Sequence, residues 1–300
     1  MTGPGGAEKA ICFNCKGEPL LGILHAPEVP SDLGVVVVVG GPQYRAGSHR
    51  QFVLLARALA ANGFAVLRFD YRGMGDSAGA RRDFAAVSAD IGCAIDALQQ
   101  QVPAAQRVVL WGLCDGASAA LLYLDDTGDT RVAGLCLLNP WVRSEASLAR
   151  THVKHYYAQR LRQRAFWTKL LRGQVTGQAW SGLLATLRAR RAGAKAQADE
   201  PFQTRMAKAW KAFDKKILLV LSGDDYTAKE FIEYTSGNIA EWGRLLAGQR
   251  VCRHDIPQAD HTFSSASSAH DIEHRTVTWL QRSLRPNPEY MPSHCATAID

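Results

Sequence analysis

Short apolar runs, each bounded by turn residues, recur along this chain with amphipathic stretches between them, and that rhythm admits few architectures. Val35 to Val39, Ala65 to Phe69, Val108 to Trp111, Gly134 to Leu138, Ile217 to Leu221 and Val251 to Ile256 read as parallel strands. A strand covered on both faces has no wet side, so it appears as a continuous apolar block rather than as an alternation. Between these blocks, His49 to Ala61, Ala85 to Gln100, Ala117 to Leu124, Lys229 to Leu246 and Ala269 to Leu284 carry apolar stripes at helical spacing. Two opening runs, Ala10 to Cys15 and Leu20 to Leu24, are joined by Lys16-Gly17-Glu18-Pro19 and predict an antiparallel hairpin. The expectation is an α/β protein with an eight-stranded, mostly parallel sheet flanked by helices.

One interval breaks the rhythm. About eighty residues separate Leu138 from Ile217, too many for a bare crossover. The predicted organisation is therefore a core of residues 1–141 and 217–284, a helical lid at 142–216, and an irregular tail at 285–300. The lid is basic, with seventeen Lys/Arg against four Asp/Glu from Val142 to Lys216, so the net charge of +7 is concentrated there and the rest of the chain is on balance acidic. No zinc-ligand pairs or ribonucleoprotein-type aromatic strand accompany the basic residues, which argues against nucleic acid as a partner. Charge of this sign suits an anionic acyl donor, such as a coenzyme A thioester or an acyl carrier protein. A solvated helical cap with surface ion pairs is the plainer alternative. Docking of the arginines with Trp167, Trp180 and Trp210 on a membrane surface is less favoured. No apolar run approaches the length that spans a bilayer, and no basic start leads into an apolar stretch, so a cytoplasmic protein is expected. The seven cysteines form an odd, scattered set, which fits reduced thiols better than a disulfide framework.

The chemistry concentrates at residues 111 to 118, Trp-Gly-Leu-Cys-Asp-Gly-Ala-Ser, directly after a predicted strand. Strand followed by G-x-C-x-G is the pattern of a nucleophile elbow, in which a sharp strand-to-helix turn exposes the residue at its tip. Cys114 stands at that tip, with Gly112 and Gly116 as the small residues the turn requires. The plain alternative is a small buried cysteine. The backbone N–H of Asp115 would face a forming oxyanion together with the helix N-terminus. A second donor belongs in the loop after the first parallel strand, Val39-Gly40-Gly41-Pro42-Gln43, where Gly41 is the choice because Pro42 has no N–H.

A thiol nucleophile needs a base, and the base an orienting acid, supplied in the order nucleophile, acid, base. Ser222-Gly223-Asp224-Asp225 follows one strand, and Pro257-Gln258-Ala259-Asp260-His261 follows the last. Loops at the carboxyl ends of parallel strands share one crevice, so His261 and an aspartate can meet Cys114. Asp225 is favoured over Asp224, although spacing alone leaves both open. His254 reads as an ordinary strand residue.

Three further patterns carry less. Gly73-Met74-Gly75-Asp76-Ser77-Ala78 matches a dinucleotide fingerprint, but no helix opens at its glycines. His270-Asp271-Ile272-Glu273-His274 matches an inverted zinc-protease pattern, on a helix whose polar side would carry such residues anyway. Cys12 and Cys15 lie in a strand that points them to opposite faces. No cofactor and no metal is expected.

From Leu20 to Leu284 these features resemble the α/β-hydrolase superfamily, and Phe64 to Ser77 is similar to the segment such enzymes carry after the helix that follows the oxyanion loop. Gly40 to Arg50, Gly112 to Gly116 and Ser222 to Ala228 resemble, more narrowly, the exosortase A system-associated hydrolase 1 family. The resemblance implies an α/β-hydrolase fold with a lid insertion and an acyl hydrolase or acyltransferase acting on esters or thioesters. It also implies a bacterial setting of exopolysaccharide production, where acyl-activating enzymes and acyl carrier proteins occur. Cysteine in place of the usual serine is similar to acyl-transferring members. A binding protein that keeps the fold without catalysis is the alternative.

Overall fold

The computed structural model describes residues 7–41, 44–143 and 200–284. The chain divides into one unit of Met1–Val142 with Phe202–Asp300 and a second of Arg143–Pro201. Nearly all of the second unit lies outside the described residues, as do the expected tail at 285–300 and the indoles Trp167 and Trp180.

Eight strands form one sheet in the order β1-β2-β4-β3-β5-β6-β7-β8. The opening hairpin pairs β1 (Ala7–Cys15) with β2 (Glu18–Ala26), antiparallel, from Ala7 opposite Ala26 to Cys15 opposite Glu18. Its two-residue turn is Lys16 and Gly17, with φ of 52° and 89°, the positive values whose twist matches that of the flanking strands. β2 joins β4 (Ala65–Phe69) antiparallel, and from there every pairing is parallel, through β3 (Leu33–Val38), β5 (Arg107–Leu113), β6 (Val132–Leu138), β7 (Lys216–Ser222) and β8 (Val251–Ile256).

The period of two in a strand sorts the core into two layers. Val36, Val38, Leu110, Leu135 and Leu219 pack on one face with α2 (Ser88–Gln101) and α3 (Asp115–Thr127). Val35, Val37, Val109, Cys136 and Leu218 pack on the other with α1 (Gln51–Ala61) and α7 (Ala266–Ser283). Every residue of β3, β4 and β6 is buried, which is why these strands read as apolar blocks, β4 being interrupted by Arg68, whose guanidinium donates to His25 Nε2 and Arg45 O. Each fully buried Val, Leu or Phe side chain there contributes about 1.5–3 kcal/mol on leaving water.

Two elements differ from expectation. The stretch read as one helix from Lys229 to Leu246 is two, α5 (Tyr226–Gly237) and α6 (Ile239–Leu246), broken at Asn238 with φ −118° and ψ 45°. The break lets Trp242 turn into an aromatic cluster with Trp210, Phe231 and Tyr234, a packing gain that helical periodicity does not encode. The other is α4 (Phe202–Ala212), placed by the sequence reading at the end of a lid: it packs on α3, with Met206 and Trp210 fully buried in the core. Trp210 Nε1 donates to Leu245 O at 3.3 Å, so this indole is not available to dock on a membrane. No helix of the described residues is long and apolar enough to cross a membrane, and no disulfide joins the described cysteines.

Candidate active site

The turn between β5 and α3 is built as the glycine spacing requires. Cys114 sits at its tip with φ 60° and ψ −126°, a region that costs a non-glycine residue about 1–3 kcal/mol. The surroundings offset that strain with backbone hydrogen bonds. Cys114 N–H donates to Leu138 O at 2.9 Å, and its carbonyl accepts from Ala117 N at 3.1 Å and Trp141 N at 3.2 Å. Gly112 is needed because a Cβ there would lie 2.5 Å from the Gly116 carbonyl, and Gly116 because its Cβ would run into Val38 O. The Cys114 side chain is half-buried and packs against the core layer that contains Phe263.

The two adjacent aspartates differ in their contacts. His261 Nδ1 lies 2.9 Å from Asp225 Oδ2. Asp225 also caps α5, its carboxylate accepting from Thr227 N and Ala228 N at 3.1 Å each. Asp224 points to solvent, its side chain 84% exposed and 3.9 Å from the Lys229 ammonium. Burial pushes the Asp225 carboxyl up, but the hydrogen bond and charge of His261 and the two cap N–H groups outweigh it and hold it below its ordinary range. Conversely, the hydrogen bond to Asp225 raises His261 above its usual value against the opposing effect of burial, with the charges of Asp225, Asp115 and Asp260 adding to the rise. With Nδ1 committed to Asp225, Nε2 is the nitrogen left for proton transfer.

Asn139, which the sequence reading did not single out, ties the parts together. It follows β6 with φ 45° and is fully buried. Its amide oxygen accepts from Ser222 N at 2.8 Å, while Nδ2 donates to Ser222 Oγ at 2.8 Å and to His261 O at 3.3 Å. Ser222 Oγ in turn donates to Asp260 O at 2.9 Å. The elbow hangs from Leu138 and the histidine loop from Asn139, so adjacent residues at one strand end position both. An asparagine directly after an apolar strand and before Pro140 is the only local trace of this role.

The Gly41 N–H, the expected second oxyanion donor, donates in this structure to Asp115 Oδ2 at 2.8 Å. The reason is steric as well as electrostatic: Gly40 and Gly41 have no Cβ, and a Cβ on Gly40 would collide with Asp115 Oδ1. That second oxygen is buried against Gly40 and the first amides of α3 without a well-formed hydrogen bond. Burial pushes the Asp115 carboxyl up, opposed by the N–H dipoles of Gly41, Gly116 and Asp115 itself.

Residues 31–219 match the Hydrolase_4 family, described as serine aminopeptidase, S33. No curated protein matches the chain in sequence. Among solved structures, the esterase Pf2001 of Pyrococcus furiosus is similar at TM-score 0.62 and 16% identity, covering 93% of this chain and 94% of that one. The α/β hydrolase GrgF from Penicillium sp. sh18 is similar at TM-score 0.61 and 15% identity, over 92% and 99% of the two chains. An alpha-beta serine hydrolase homologue from Coxiella burnetii follows at 0.56 and 14%, over 91% and 97%. At these identities the likeness establishes a shared α/β-hydrolase fold.

Proposed function

We propose that this chain, which belongs to the Hydrolase_4 family (serine aminopeptidase, S33), is an acyl hydrolase or acyltransferase of esters or thioesters that works through Cys114, His261 and Asp225. The observation that carries the reading is the His261–Asp225 pair at 2.9 Å, delivered to the same end of the sheet as the strained Cys114 turn. The family description names serine, whereas this chain carries a thiol, which is more acidic than a hydroxyl and gives a more reactive acyl intermediate.

In the proposed reaction the Cys114 thiol proton passes to His261 Nε2 as Sγ attacks the carbonyl carbon. The carbonyl electron pair moves onto oxygen, facing the Asp115 N–H. Collapse of this tetrahedral species breaks the bond to the leaving alcohol or thiol, which takes the proton from His261. Water or another acceptor then attacks the acyl-cysteine, giving its proton to His261, and the restored carbonyl expels Sγ, which recovers the proton. Asp225 holds the imidazole in the tautomer that this relay needs.

An anionic carrier, coenzyme A or an acidic acyl carrier protein, is the proposed donor, on the support of the basic excess between Val142 and Lys216. The resemblance to exosortase-associated hydrolases supports a setting in exopolysaccharide-linked acyl metabolism. The deciding experiment is intact mass after incubation with acyl thioesters. An acyl adduct on the wild-type chain and none on Cys114→Ala is the expected result, and full turnover by Cys114→Ala would end the proposal.

A further inference from the structure

We infer that the Asp115 side chain occupies the oxyanion site of the resting protein, and that an acyl substrate reaches its transition state only after displacing it. This rests on the proposed acyl chemistry but adds a feature that chemistry does not require. The Asp115 and Gly41 N–H groups are the two donors an oxyanion would use at this turn. Gly41 N–H is already donated to Asp115 Oδ2 at 2.8 Å. The carboxylate lies along Gly40 and over the opening amides of α3, the location where a helix N-terminus favours negative charge. A carboxylate oxygen and a tetrahedral oxyanion present the same charge to the same donors, so one excludes the other.

The seat is also a weak one. Backbone dipoles hold the carboxylate there together with the charge of a protonated His261, the charge of Asp83 acts against it, and Oδ1 lacks a formed hydrogen bond. Burial disfavours the anion in this place, so departure recovers hydration that the seat denies it. Asp115 is the first residue of α3, so rotation of its side chain is the movement that the exchange requires. The consequence for specificity is direct. Substrates whose acyl chain or carrier binds elsewhere on the protein can drive the exchange, whereas small esters with little other contact must compete with the carboxylate for the amides.

The test compares acylation of Cys114 by p-nitrophenyl acetate, read as intact mass against time, in wild type, Asp115→Ala and Asp115→Asn. Removal of the competitor accelerates acylation by about tenfold or more, within the ~10²–10³ that one oxyanion donor is worth. Asp115→Asn, which keeps the shape and a neutral acceptor, falls between the other two and serves alone if the alanine variant does not fold. Added acetate refills the vacated seat and slows Asp115→Ala back toward the wild-type rate. An unchanged or slower rate in both variants overturns the inference and makes the carboxylate an anchor of the Gly40–Gly41 loop. If no protein forms an adduct, the acyl reading has failed, and a separate measurement decides this inference. The Gly41 amide resonance then shifts on acetate titration of Asp115→Ala and not of wild type, and absence of that shift overturns it.

Discussion

Two carboxylates on neighbouring elements, one fully buried and one partly so, have opposite environments. Asp90, in α2, is fully buried and receives Arg72 through Nε at 2.8 Å, Nη2 at 2.8 Å and the backbone N–H at 2.9 Å. Asp115, at the start of α3, is met by amide dipoles and by no counter-charge comparable to that guanidinium. The first arrangement neutralises a charge and locks two elements in one geometry. The second leaves a charge that is held but replaceable. A paired, fully bonded buried ion belongs to the framework, and one held mainly by backbone N–H groups at a strained turn has no such lock.

The largest test of that contrast is Arg72→Ala, which strands Asp90 in the core and costs about 3–5 kcal/mol of folding stability. Urea unfolding reads the loss, and acylation per folded molecule stays at the wild-type level. Equal stability would mean the pair is not framework after all. Next is Asp225→Asn, which leaves the fold but lowers Cys114 acylation by at least about 10². The pH profile carries the sign. Asp225 raises His261, so the imidazole keeps its proton to higher pH and the acid limb of acylation lies above the ordinary histidine value of about 6.5. In Asp225→Asn that limb moves down. A limb that stays put would assign it to another group. The smallest effect belongs to Asp224→Ala, whose exposed carboxylate leaves the acylation rate, the acid limb and the unfolding midpoint where they were; a shifted limb would place Asp224 in the relay.

The framework side was the more legible one in the amino-acid order. Apolar blocks mark β3 and β6, buried throughout, and β4 and β8 have the expected bounds because β4 is uniformly buried and turn residues flank β8, a partly exposed strand at the sheet edge. The elbow was equally legible, since Gly112, Cys114 and Gly116 meet a demand made by the immediate backbone. Asp224 and Asp225, adjacent in the chain, were separable only once α5 was seen to begin at Tyr226, which makes Asp225 its cap and turns it toward His261. Asn139 was invisible for a similar reason, because its partners, Ser222 and His261, are 83 and 122 residues away.

Local chemistry settled the strands, the hairpin turn and the strained turn that carries Cys114, because each depends on interactions between residues close along the backbone. The three-dimensional arrangement was needed to choose Asp225, to bury Trp210, to reveal Asn139 as a tether and to seat Asp115 on Gly41. Those outcomes depend on which hydrogen-bonding groups meet across strand ends, and such meetings are set by sheet order and loop closure, to which spacing along the chain is blind.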